Sequence, residues 1–180
     1  MRDPGQQTDE LLLDAFRRGN TDALGILYDR HARTVLAFAL RFTGDRALAE
    51  DVVQDCFKEL IDCIDGFELR GQLTSWFYVV AKRRALRLRE RSERSQGELD
   101  QEALAIPEVG PEPTEDLRRL LARLPGAQQE VLVLRFLDGW DLQSIADTLD
   151  IPLGTVKSRL HNALAVLRDD PVCRKYFGRN

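Results

Sequence analysis

The segment DLQSIADTLDIPLGTVKSRLHNALAVL, residues 141–167, decides the fold. Asp141 suits a cap for a helix in which Leu142, Ile145, Ala146 and Leu149 recur at i, i+3, i+4 and i+7, a single narrow inward face. Four residues, Asp150 to Leu153, intervene before a second periodic run of Val156, Leu160, Ala163, Leu164 and Leu167. Pro152 suits the first position of that helix, where a missing N–H costs nothing. Two short helices joined by so tight a turn describe a helix-turn-helix. At about 100° per residue, Ser158 and Asn162 lie opposite the inward face, with Thr155 near them and Lys157, Arg159 and His161 on the flanks. A helix in the major groove needs hydrogen-bond formers for base edges along its outer ridge and cations or hydroxyls beside it for phosphates, and this ridge supplies both. Its N-terminus adds free N–H groups for a phosphate. A solvated helix face is the bland alternative, but an outer face almost free of acids after so tight a turn is uncommon by accident.

Outward from this motif the pattern stays helical. Residues 128–137 are apolar over most of a helical circumference, which makes them central to a small core, and Asp138-Gly139 closes that helix. Leu117, Leu120, Leu121 and Leu124 form another stripe, ended by Pro125-Gly126. Between Ser95 and Thr114 the chain carries Pro107, Pro111, Pro113, Gly97 and Gly110 and no aromatics, a composition that buries too little surface to offset ordering entropy. The N-terminal half predicts helices near Asp9 to Arg18, over Thr21 to Phe42, and from Arg46 onward. The third buries Val52, Val53, Cys56, Phe57 and Leu60 and turns its acids outward. A fourth helix, Thr74 to Arg91, begins apolar and ends basic. No stretch alternates with the two-residue rhythm of a strand, so the fold class is all-α: two small helical domains, 1–94 and 115–180, joined by a flexible acidic linker, 95–114.

Charge is distributed in blocks along the 180 residues. The net −4 conceals seven acids against two bases in Asp45 to Asp65 and seven acids against none in Gln96 to Asp116. The reverse holds in Lys82 to Arg94, with seven bases against two acids, and in Pro152 to Asn180, with six against two. Two basic blocks separated by acidic ones suit a protein that touches a polyanion at two places and another partner in between. No run approaches the roughly 18 apolar residues of a membrane span, and Met1 to Glu10 lacks the apolar core of an export signal, so a soluble cytoplasmic protein without membrane insertion is expected. Cys56, Cys63 and Cys173 are odd in number and lack CxxC spacing; the first two read as buried small hydrophobes and the third as an incidental tail thiol. With only His31 and His161, and no phosphate loop, HExxH or nucleophile motif, no catalytic site, metal or cofactor is expected.

Leu124 to Leu167 resembles region four, the promoter-reading C-terminal domain, of the extracytoplasmic-function sigma factors of bacterial RNA polymerase. LuxR-type regulators share Thr155-Val156-Lys157 at the same place, so a stand-alone regulator is the alternative from this end alone. At the other end Leu27 to His31, then Thr43-Gly44-Asp45 with Ala49 to Phe57, then Leu73 to Ala81, resemble region two of the same family in the same order. The resemblance implies that Asp51, Gln54 and Asp55, with Glu50 beside them, dock on the clamp of the largest polymerase subunit; Asp51 and Asp55, four apart, share a helix face.

It also implies that the fourth helix recognises and opens the proximal, minus-ten element, with Lys82, Arg83, Arg84, Arg87 and Arg89 as a cationic track and Tyr78 as a candidate stacking ring. Trp76 and Phe77 instead fit the buried rhythm. The upstream, minus-thirty-five element falls to Thr155, Lys157, Ser158, Arg159, His161 and Asn162. Expected partners are core RNA polymerase, promoter DNA and an anti-sigma factor. Typical members carry asparagine at Arg83 and often aspartate at Arg87, a glycine at Asp150, and serine or threonine at Asp141. The tail from Asp169 to Asn180, with Tyr176 and Phe177, is expected to fray.

Overall fold

The computed structural model describes residues 7–96 and 115–168, together with Asp170 and Phe177. Its helices are α1 (Asp9–Arg17), α2 (Thr21–Thr43), α3 (Arg46–Cys63), α4 (Leu73–Gln96), α5 (Glu115–Leu121), α6 (Gly126–Phe136), α7 (Leu142–Leu149) and α8 (Leu153–Leu167), with a 3-10 turn at Ile64–Gly66. No strand occurs among the described residues. The chain divides into two compact units, Met1–Ser92 and Glu93–Asn180. Of the expected linker, residues 95 and 96 still belong to α4, and 97–114 lie outside the described residues. The fourth helix outruns its expected end at Arg91 because nothing before Gly97 in the sequence breaks a helix.

Local chemistry sets the helix ends. The Thr8, Asn20 and Asp45 side chains accept from the backbone N–H of Leu11, Asp22 and Leu48 at 3.4, 3.1 and 2.8 Å, satisfying donors that the helices leave open. Gly44 closes α2 in the left-handed region at φ 64°, its N–H donating to the Leu40 carbonyl at 2.9 Å.

In the first unit α2 packs on both α1 and α3. Aromatic contacts run across the core: Tyr28 meets Phe57 at 4.8 Å between ring centroids, Phe57 meets Phe77 at 4.8 Å, and Phe77 meets Trp76 at 5.3 Å. His31 is buried against Phe77, with Nε2 2.9 Å from an Asp9 carboxylate oxygen; the other oxygen of Asp9 accepts from Arg30 at 2.5 Å. Burial lowers the His31 pKa from 6.5 by penalising the imidazolium, and Arg30 acts in the same direction, against the opposing pull of Asp9. A ring that protonates less readily when folded contributes stability above pH 6.5 and loses it as the pH falls below that value. The thermal midpoint of this unit is therefore expected to fall between pH 7.5 and 5, with a shallower fall in His31→Gln; equal slopes in circular-dichroism melts would contradict the assignment.

In the second unit α6 buries Val131, Leu132, Val133 and Leu134, a run of four that leaves no solvent face there, as its apolar sequence requires. It packs against α7 and α8, while Leu117, Leu120, Leu121 and Leu124 join Leu132, Val133, Ala163 and Leu167 in one cluster. Pro125, expected only to end the preceding helix, takes the N-cap position of α6. Among the described residues of the tail, Phe177 departs from expectation: it is buried in this cluster, 5.3 Å from the Phe136 ring, because a large apolar ring gains more from the core than it loses in freedom. Arg123 also donates to Asp170 at 3.0 Å. Tyr176 and Cys173 lie outside the described residues. Among the described residues no helix is long and apolar enough to cross a membrane.

Candidate nucleic-acid interface

Sequence sets the geometry of the helix-turn-helix at three points. Asp141 caps α7, accepting from the N–H groups of Gln143 and Ser144 at 2.9 Å each, and the Ser144 hydroxyl donates back to it at 2.5 Å. The Ser144 hydroxyl, followed by the backbone donors, holds this carboxyl below the usual carboxylate range. Asp150 then turns the chain at φ 52°, the left-handed conformation that aspartate tolerates at modest cost, and the Ile151 N–H donates to the Ala146 carbonyl at 3.1 Å. Buried Ile145, Ala146 and Val156 complete the inward faces of the two helices. On the outer side of α8, Lys157, Ser158, His161 and Asn162 are exposed and Thr155 and Arg159 half-buried. No side chain caps the α8 N-terminus, which leaves its first amides for an anion. The Ser158 hydroxyl donates to the Thr155 carbonyl at 3.0 Å.

The basic face of α4 is more constrained than its sequence suggests. Lys82 stands over the Phe42 ring, 5.9 Å from its centroid. Arg83 pairs with one oxygen of Glu59, and Arg84 donates to the other from Nε and Nη2 at 3.2 and 2.8 Å. Asp55 lies 3.8 Å from Arg84 Nη1. Arg87 is exposed. Two expectations are corrected. Tyr78 is only 2 % exposed, its ring set edge-on to Phe38 at 5.0 Å and to Phe42 at 5.9 Å, so it is a core residue and no stacking surface. The acids of α3 do not all face solvent, because Glu59 and Asp55 turn toward the α4 arginines. Phe77 is wholly buried, as its rhythm predicted, whereas Trp76 is only half-buried, its ring edge-on to Phe67 at 5.2 Å.

The solvent face of α3 carries Glu50, Asp51 and Gln54, with Asp55 at its margin. Glu50 accepts from Arg46 at 2.9 Å, an exposed i,i+4 pair of small energetic weight. Asp51 and Gln54 make no hydrogen bond or ion pair among the described residues and present their polar groups outward. Glu59 is the functional candidate that sequence reasoning missed; its signal was its position one turn beyond Asp55, facing the Lys82-Arg83-Arg84 run. The buried Cys56 thiol is pushed up to about 12, first by burial and then by Glu59 and Asp55, so it is an inert core residue. Cys63, expected to be buried, is only partly so, and its thiol lies 3.6 Å from the Leu60 carbonyl.

Comparison with known proteins gives two family matches, Sigma-70 region 2 over residues 27–95 and Sigma-70 region 4 over residues 114–167. The chain is 36% identical over 157 residues to the ECF RNA polymerase sigma factor SigL of Mycobacterium tuberculosis, covering 79% of this chain and 85% of SigL. Among solved structures it is similar to CnrH, in a complex with the cytosolic domain of CnrY, at a TM-score of 0.65 and 22% identity, covering 90% of this chain and 96% of CnrH. It is also similar to the sigma factor RpoE of Bartonella quintana, in a complex with the anti-sigma factor NepR, at a TM-score of 0.60 and 23% identity over 79% of this chain and 95% of RpoE.

Proposed function

The chain belongs to the extracytoplasmic-function branch of the sigma-70 family, and from that premise we propose how its two units divide the work of choosing a promoter. It is a transcription initiation factor that binds core RNA polymerase and acts by recognition, without covalent catalysis. One observation carries this reading: both family regions lie on one chain, in order. A stand-alone LuxR-type regulator gives no account of the region over 27–95.

In this reading Asp51, Gln54 and Asp55, with Glu50 beside them, meet a basic clamp surface on the largest polymerase subunit. Lys157, Ser158, His161 and Asn162 reach base edges of the upstream element, while Thr155, Arg159 and the α8 amides hold phosphates. Lys82, Arg83, Arg84 and Arg87 track the backbone of the proximal element. The segment 95–114 serves as an acidic tether whose charge opposes idle sticking to DNA. The factor works in the cytoplasm, where its polymerase is. An anti-sigma protein that covers these faces is a further proposed partner, supported by family membership and by the complex in which RpoE was solved.

Run-off transcription with core polymerase tests the upstream assignment. At about 1–3 kcal/mol per base contact, replacing Lys157 and His161 by alanine is expected to reduce transcripts at least 10-fold on an intact promoter. The difference should vanish on a template with a scrambled upstream element. Equal transcripts from variant and parent on the intact promoter would overturn it.

A further inference from the structure

The single carboxylate of Glu59 holds two guanidiniums at once. Arg83 takes one oxygen, Arg84 forks onto the other with two donors, and Asp55 approaches the remaining Arg84 nitrogen at 3.8 Å. Guanidinium N–H groups donate to carboxylate and to phosphate oxygens in the same charge-assisted way, so the two Arg84 donors that converge on one Glu59 oxygen are donors a phosphate oxygen would take. Glu59 is only 22% exposed, so solvent screens these pairs less than it would a loose surface bridge. Burial opposes ionisation of Glu59, but the hydrogen bonds and charges of Arg83 and Arg84 together outweigh it and keep the carboxylate charged. Arg87, one turn further along α4, is exposed with no such partner among the described residues.

We propose that Glu59, assisted by Asp55, is a positioning residue that stands in for DNA phosphate on Arg83 and Arg84, so that the free chain keeps these two cations of its proximal track internally neutralised. This rests on the reading of α4 as a DNA surface. A strand that reaches Arg83 and Arg84 must exchange phosphate for carboxylate, which lowers the affinity of the unaccompanied factor for single strands without altering the helices themselves. Any partner that draws Asp55 outward weakens the hold on Arg84 and eases the exchange.

The test measures the full chain against a fluorescein-labelled 20-nucleotide single strand of mixed sequence by anisotropy, over a series of salt concentrations. Glu59→Gln keeps the shape and removes the charge. It is expected to tighten binding about 3- to 10-fold and to steepen the slope of log affinity against log salt by about 1.4, the value for two phosphates newly engaged on a single strand. Asp55→Asn should move both readings the same way by less, and serves if Glu59→Gln folds poorly. Adding Arg83→Ala and Arg84→Ala to Glu59→Gln should abolish the gain. Unchanged or weaker binding by Glu59→Gln, with Arg83→Ala/Arg84→Ala weakening the parent, would overturn the shielding while leaving α4 as a DNA surface. Binding indifferent to all of these changes would overturn both.

Discussion

An Asp51→Ala/Gln54→Ala double variant is expected to lose on the order of 100-fold in affinity for core RNA polymerase while melting at the same temperature as its parent. Both side chains stand on the solvent face of α3 without a partner among the described residues, so nothing within the fold should notice their removal. A carboxylate at the centre of an interface leaves an unpaired cation behind when it is truncated, at a cost of about 2 kcal/mol, and the amide adds roughly 1 kcal/mol more. Leaving Asp55 intact matters, because its removal would also loosen Arg84 and mix two effects. Affinity can be read by titrating labelled factor with core enzyme. A loss smaller than about 5-fold would move the docking face elsewhere on the chain.

Phe77→Ala should be the most damaging single substitution in the first unit. The ring is fully buried and touches the rings of Phe57, His31 and Trp76, so its loss leaves a cavity that three neighbours cannot all fill. Such a deletion costs about 3–5 kcal/mol, and at about 4–8 °C per kcal/mol for a unit of this size the melting temperature falls by on the order of 20 °C. Val79→Ala, two residues along the same helix but 42% exposed, should stay within about 0.5 kcal/mol of the parent. A Phe77→Ala melt within a few degrees of the parent would mean that the aromatic chain is not what joins α3 to α4.

The helices of both units were legible in the sequence because their apolar residues recur at one consistent period and because Asp141 reads as a cap, whereas the caps at Asn20 and Asp45 emerged only with the fold. The turn before α8 could be read from the four residues between the two periodic runs and from Pro152, and Asp150 takes the left-handed conformation there. What the sequence hid were contacts between residues far apart in the chain. Tyr78 lies within an apolar run on a helix that turns basic four residues later, and only the arrival of Phe38 and Phe42 from α2 decides that it is core. Glu59 looked like one more surface acid until α4 brought two arginines to it. Phe177 lay in a polar tail, and its place against Phe136 in the core of the second unit is a contact across some forty residues that no local pattern announces. Of the candidate site, the ridge on α8 emerged from periodicity alone because a single helix carries all of it, whereas the proximal surface is shared between two helices and needed the fold.

Strand opening on a promoter is the most direct test of the central claim that this chain selects start sites only as part of the polymerase. Permanganate reactivity of thymines in the proximal element should be compared on one fragment with the chain alone, core enzyme alone and both together. Reactive thymines in the combined reaction, absent from either single one, are the predicted result. Opening by the chain alone, or none when the two are combined on a promoter the factor serves, would contradict it.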